Sequence, residues 1–243
     1  MLKIDASLDQ TGQILRTGLS LATLTGCIVQ TEKIPGGISA SHMAFIKTLG
    51  KICNAEMSGV KEGSDKFVFK PHSVSAAEYR FDFTEYEGVS VNLILQTILF
   101  PLSFGDKRSY LYLTGRMDVP HTPSYEYFRD FYIPAITSMG VKCNCKLMAV
   151  DKQGVGQMLV SITPSEELRP FVLPPDKPVD KFLADQLILP VSLARGSSSF
   201  TTEEVTQNLL SNISLVEKFL DVRFHISGGL GNPAFIEKLG EAF

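Results

Sequence analysis

Apolar residues recur every three to four positions over 12–25, 40–53, 89–103, 124–139, 178–195, 204–219 and 233–241, the period of a helix with one buried face. Shorter alternating or continuous apolar runs near 27–31, 55–59, 66–70, 78–83, 109–115, 141–149, 156–162 and 221–226 predict strands. Pro35-Gly36-Gly37, Pro71, Gly105-Asp106, Gly140 and Gly154-Val155-Gly156 punctuate these runs, and the glycine cluster at 227–232 predicts a turn before the last helix.

The order repeats. A helix, a strand, a second helix and one or more strands occur over 12–83, again over 89–162, and in shorter form over 178–226. Three copies of one unit imply a mixed α/β (α+β) fold in which helix-strand-helix-strand units pack pseudo-symmetrically, not a doubly wound sheet around a glycine-rich loop. The expected division is a single domain of three repeat units, about 1–83, 84–162 and 179–243, with the proline-rich segment 163–178 as a linker.

Composition narrows the function classes. Of 243 residues, 44% are hydrophobic and 20% charged, as in an ordinary globular chain. A net charge of −3 gives no global basic field for long nucleic acid, so any RNA contact is confined to a local pocket for one end. The four cysteines form no Cys-x-x-Cys pattern; Cys143 and Cys145 share one face of a strand-like run, and free thiols in a reduced compartment are expected. Met1-Leu2-Lys3-Ile4-Asp5 lacks a signal-peptide core, and the longest apolar run, Val89 to Phe104, carries Asn92, Gln96 and Pro101 and is too short for a bilayer. The expectation is a cytoplasmic protein (nuclear or nucleolar if eukaryotic) with no membrane partner.

No Walker A, Gly-x-Gly-x-x-Gly or His-Glu-x-x-His motif is present. His42, His72, His121 and His225 are scattered and suggest no metal triad; His121 lies in the stiff loop Asp118-Val119-Pro120-His121-Thr122-Pro123, a place that commonly carries site residues. Polar residues interrupt apolar helices at Gln13 and Arg16, at Asn92 and Gln96, and at Asp185 and Gln186. Buried polar groups need partners. Two readings stand: these residues bond one another and cap their helices, or the repeats bring helix ends to one cleft where Arg16 awaits an anion.

At these residues the chain resembles the RNA 3′-terminal phosphate cyclase family. The resemblance runs through Gly12-Gln13-Ile14-Leu15-Arg16-Thr17, Lys51-Ile52-Cys53-Asn54-Ala55, Glu78-Tyr79-Arg80-Phe81, Leu95-Gln96-Thr97, Asp118 with Pro120 and Pro123, Ala184-Asp185-Gln186-Leu187-Ile188-Leu189-Pro190, and Leu209-Leu210-Ser211-Asn212-Ile213. It implies the fold shared with enolpyruvate transferases. It also implies ATP-dependent conversion of an RNA 3′-phosphate to a 2′,3′-cyclic phosphate through a histidyl-adenylate, with Mg or Mn as the divalent cation. Adenylation makes a phosphate oxygen a better leaving group, and the ribose holds the 2′-oxygen at high effective concentration.

By the same resemblance, Arg16 takes the RNA phosphate, Asp9 lies near metal and phosphates, Gln96 faces a phosphate, Pro123 and Phe182 sandwich the adenine, and Asp185 lies near the nucleotide. The sequence departs from the family at three places. Asn208 stands where the nucleophilic histidine is expected, and an amide nitrogen, its lone pair delocalised, cannot attack phosphorus. The basic and glycine-rich segments are reduced to Asp9-Gln10-Thr11-Gly12, Glu32-Lys33-Ile34-Pro35-Gly36-Gly37 and Lys152-Gln153-Gly154-Val155-Gly156. Segment 163–178 stands where the family carries a small inserted domain. The expected function is therefore a cyclization-deficient protein that binds a nucleotide or an RNA end. Two alternatives stand beside it: a non-catalytic interaction protein in RNA processing or ribosome assembly, and an active cyclase with a displaced nucleophile such as His121.

Overall fold

The structure, a computed structural model, describes residues 1–9, 11–120 and 122–241. The first sheet is built from β1 (Leu2–Asp5), β2 (Val29–Glu32), β3 (Glu56–Ser58) and β4 (Phe67–Lys70), with α1 (Gln13–Thr25) and α2 (Ala40–Ile52) between the early strands. Its order is β1-β2-β4-β3; β1 and β2 run parallel across the α1 crossover and the other pairs are antiparallel. The second sheet repeats this plan with β5 (Glu78–Asp82), α3 (Val91–Ser103), β6 (Ser109–Arg116), β7 (Lys142–Val150) and β8 (Val155–Thr163), in the order β5-β6-β8-β7 and with the same parallel first pair. Between β6 and β7 the helical stretch has three parts: α4 (Tyr125–Tyr127), a π-helical turn (Phe128–Tyr132) and α5 (Ile133–Ser138).

The third copy holds α6 (Lys181–Leu193), β9 (Ser198–Thr202), α7 (Gln207–Phe219), β10 (Val222–Ser227) and β11 (Ala234–Gly240), with sheet order β10-β11-β9. A parallel bridge from Val179 to Thr202 stands where the other copies have their first strand. Each copy is thus β-α-β-α-β-β, and the repeat begins one strand earlier than periodicity indicates. The opening strands give a weak signal because little of them is buried: only Ile4 in β1 and only Tyr79 in β5. Hence β5, which periodicity joins to the preceding unit, opens the second copy by pairing with β6.

Two elements differ from the expected ones. Residues 233–241 form a strand, not a helix: Ala234, Ile236 and Lys238 are buried alternately, and β11 pairs with both β9 and β10. In so short a segment apolar periods of two and of 3.6 are hard to tell apart, and the pairing partners decide for the strand. The proline-rich stretch 163–178 is hydrogen-bonded along β9: Ser199 N–H donates to the Phe171 carbonyl, Leu173 N–H to the Ser199 carbonyl, and Phe171 N–H to Ser198 Oγ. Leu168 and Phe171 of this stretch are buried.

The chain divides into two compact units. The first comprises Met1–Asp130 and Lys142–Pro164, and the second comprises Phe131–Val141 and the chain from Ser165 onward. Leu15, Leu19, Phe45, Phe67, Phe69 and Phe100 are completely buried in the first unit, while Leu187, Phe200, Leu209 and Ile236 fill the core of the second. Among the described residues no helix is long and apolar enough to cross a membrane.

Candidate functional site

In the first unit Asp9 and Arg16, two of the predicted site residues, meet at the start of α1. Gly12 occupies the N-cap position with φ 73 and offers no side chain to cap the helix. Asp9 caps it from further back: its Oδ2 accepts the Leu15 N–H at 2.9 Å. Asp9 is 4% exposed, and its Oδ1 has no hydrogen-bond partner among the described residues. Arg16, one turn into α1, donates from Nη1 to the Thr11 carbonyl at 2.9 Å. Burial pulls its pKa down to about 10, while Asp9 favours the charge through space.

His42 joins this group from α2. Its Nδ1 accepts the Ser39 N–H at 3.1 Å and Ser39 Oγ accepts the His42 N–H at 3.3 Å, a reciprocal cap. With Nδ1 an acceptor, the neutral ring carries its proton on Nε2. A Cβ on Gly12 would lie 3.2 Å from both Arg16 Nη1 and His42 Nε2, so a side chain there would crowd both groups. Burial lowers the His42 pKa; Asp9 opposes this and Arg16 adds to it. Sequence reading passed over His42, although the Ser-x-x-His spacing ahead of an apolar run is a usable sign of a cap.

Helix α3 carries the next pair. Buried Asn92 donates from Nδ2 to the Met117 carbonyl at 2.8 Å and to the Pro123 carbonyl at 3.2 Å, fixing the loop on which half-buried Pro123 sits. Asp118 Oδ1 accepts the Tyr125 N–H at the other end of that loop. His121 lies outside the described residues. Gln96 is half-buried beside Thr97, whose carbonyl accepts Ser20 Oγ at 2.6 Å and so ties α3 to α1.

The second unit carries Phe182, Asp185 and Asn208. Asp180 caps α6, its Oδ1 accepting the N–H groups of Phe182 and Leu183. This places the Phe182 ring in the first turn, 59% exposed, with Lys181 Nζ 5.7 Å from its centroid. Lys181 also pairs with Glu204 at 2.9 Å. One turn on, Asp185 is buried and accepts the Thr206 hydroxyl; Thr206 in turn caps α7 by accepting the Leu209 N–H at 2.9 Å. The Asn208 side chain hydrogen-bonds Asp185 as well. Asp185 and Asn208, the latter at the expected nucleophile position, therefore form one cluster across α6 and α7, with Thr206 as a third member that sequence reading does not single out.

Burial pushes the Asp185 carboxyl up to about 6, and the bonds from Thr206 and Asn208 hold it from rising further. The folded chain therefore binds a proton that the unfolded chain has released between pH 3.8 and about 6. Stability from this group is full below that window and is lost as pH rises through it, by at most about 3 kcal/mol. Asp185→Asn should flatten this part of the stability–pH curve, measured by urea unfolding between pH 4 and 7. An unchanged slope would place the titration elsewhere.

A family model described as RNA 3′-terminal phosphate cyclase matches residues 8–226. The chain belongs to the RNA 3′-terminal phosphate cyclase family. The protein of that name from Archaeoglobus fulgidus is 35% identical over 174 residues, covering 68% of this chain and 52% of its own length. The one from Gloeothece citriformis is 26% identical over 327 residues, covering 90% of this chain and 93% of its own. In its alignments to the relatives from Archaeoglobus fulgidus and Methylococcus capsulatus, this cyclase-family chain spans about half of the relative, 52% and 46%.

Among solved structures, the chain resembles EPSP synthase from Acinetobacter baumannii at TM-score 0.51 and 15% identity, over 93% of this chain and 46% of that one. It also resembles the enolpyruvyl transferase NikO from Streptomyces tendae at TM-score 0.52 and 12% identity, over 97% and 47%. At such identities the likeness shows the fold alone, and it agrees with the enolpyruvate-transferase architecture expected from the sequence.

Among the described residues no three His, Cys, Asp or Glu side chains converge as a metal cage. The orphaned, buried Asp9 Oδ1 still fits a divalent cation as a single protein ligand, because Mg²⁺ commonly takes one or two carboxylates and completes its shell with phosphates and water.

Proposed function

We propose that this family member binds an adenine nucleotide and an RNA 3′-phosphate end but does not form the family's histidyl-adenylate. The observation that carries this reading is Asn208, whose amide is engaged with Asp185 on the first turn of α7. An amide can hold a phosphate or a carboxyl group by hydrogen bonding, but it offers no basic nitrogen for a phosphorus–nitrogen bond.

Exposed Phe182 supplies an aromatic face for adenine, and Lys181 beside it supplies a charge for phosphate. Arg16, one turn into α1, supplies a positive charge for the RNA phosphate at the positive end of the helix dipole. A Mg or Mn ion bound with ATP would neutralise phosphate charge, and Asp9 is the residue that would hold it.

Incubation with α-labelled ATP and Mg²⁺ or Mn²⁺ should leave the protein without covalent label, while calorimetry shows AMP or ATP binding. Phe182→Ala should weaken that binding about tenfold or more, since stacking on an aromatic face contributes roughly 1–3 kcal/mol. Binding of an RNA 3′-phosphate should fall with Arg16→Gln and persist with Phe182→Ala. Covalent label in the parent would overturn the loss of adenylation. Absence of both nucleotide and RNA-end binding would overturn the whole reading in favour of a purely protein-binding role.

A further inference from the structure

β7 is the free edge of the second sheet, and it carries Cys143 and Cys145 two residues apart. Their register partners on β8 are Ile162 and Val160, both buried, so the two thiols lie on the core side of the strand. Both remain half-exposed, and Cys145 lines a shallow groove of about 460 Å³ together with Tyr125, Arg129 and Leu147. The two Sγ atoms converge to 3.4 Å. Nothing in the proposed nucleotide or RNA site uses them.

Two chemistries could employ such a pair, and geometry separates them. Residues two apart on an extended strand have Cα atoms about 6.8 Å apart, from a rise of about 3.4 Å per residue. That lies at the far limit for a disulfide, whose Cα separation is roughly 4.4–6.8 Å and whose sulfurs must close to about 2.05 Å. Oxidation would therefore buckle β7. A linear bis-thiolate metal unit asks for the opposite movement: two metal–sulfur bonds of about 2.3 Å set the sulfurs roughly 4.6 Å apart. Small χ1 rotations from 3.4 Å reach that span without moving the backbone.

Ligand number then selects the metal. No third His, Cys, Asp or Glu joins the pair among the described residues, so the tetrahedral shell that zinc requires is not provided. Soft thiolates with only two donors suit a monovalent d¹⁰ ion. We infer that Cys143 and Cys145 form a two-coordinate site for a soft monovalent cation, Cu(I) in a cell. On binding, both S–H bonds break heterolytically, two protons pass to solvent and two sulfur–copper bonds form, with no change of oxidation state.

The test is an anaerobic titration of the full chain, in ascorbate, with Cu(I) held by bathocuproine disulfonate as competitor. The parent should withdraw one Cu(I) per chain. Cys143→Ser and Cys145→Ser should each bind at least a hundredfold more weakly, and Cys27→Ser should match the parent. In parallel, iodoacetamide mapping of the unmutated protein should show Cys143 and Cys145 protected by Cu(I) while Cys27 stays reactive, a readout independent of whether the variants fold. Failure of the parent to compete, equal binding by either β7 variant, or unprotected Cys143 and Cys145 would each overturn the site.

Discussion

Asn208→His should confer covalent adenylation by α-labelled ATP, which the proposed function denies to the parent. Position 208 lies in the first turn of α7, in hydrogen-bond contact with Asp185, and Thr206 anchors the same carboxylate. An imidazole there can give one ring nitrogen to Asp185, which sets its tautomer and orientation, and leave the other free to attack. Losing a covalent nucleophile costs on the order of 10⁶ in rate in a well-studied hydrolase, so even partial recovery should raise labelling at least about a hundredfold. The readout is acid-labile, metal-dependent label on the denatured protein. Label should fall in the Asn208→His, Asp185→Ala double variant if the carboxylate orients the ring. Should Asn208→His still bind AMP yet take no label, position 208 is not placed for attack.

The second large effect concerns stability. Lys238, on β11, is completely buried and forms no ion pair among the described residues. Its Nζ instead donates three hydrogen bonds to carbonyls: Ala194 at 2.6 Å, Gly196 at 3.0 Å and Gly240 at 2.8 Å. Ala194 is the C-cap of α6, so the ammonium also meets the negative end of a helix. Burial lowers the pKa of this lysine, with Glu241 opposing through space. Lys238→Met keeps the stem and its packing but leaves three carbonyls without their donor. At roughly 1–3 kcal/mol for each unsatisfied buried group, with some recovered from water, the loss should be about 3–4 kcal/mol. Urea unfolding should show this as a lower midpoint at unchanged slope. A loss under about 1 kcal/mol would mean that the carbonyls find other donors.

Lys238 also shows where sequence reading meets its limit. In Ala234-Phe235-Ile236-Glu237-Lys238-Leu239-Gly240 a lysine at an inward position looks like a break in a strand pattern. Only the folded chain supplies three carbonyls at the point where the Lys238 side chain ends. The same holds for the candidate site. Arg16, Asn92 and Asp185 were recognisable as polar residues on apolar helices, but their partners are distant in sequence or belong to another element. Asn92 reaches Met117 and Pro123, and Asp185 reaches Thr206. For His42 the local spacing marks only a helix cap, and its closeness to Gly12 depends on how α2 meets the start of α1.

By itself the sequence determined the long helices, most strands, the threefold repetition and the family, since these rest on local periodicity and on residue types in order along the chain. Tertiary structure decided the phase of the repeat, the strand character of the last segment, the hydrogen-bonded course of 163–178 and the carboxylate that holds Asn208. Each of those depends on a hydrogen bond or a buried face supplied by chain many residues away, and a local pattern carries no record of such a partner.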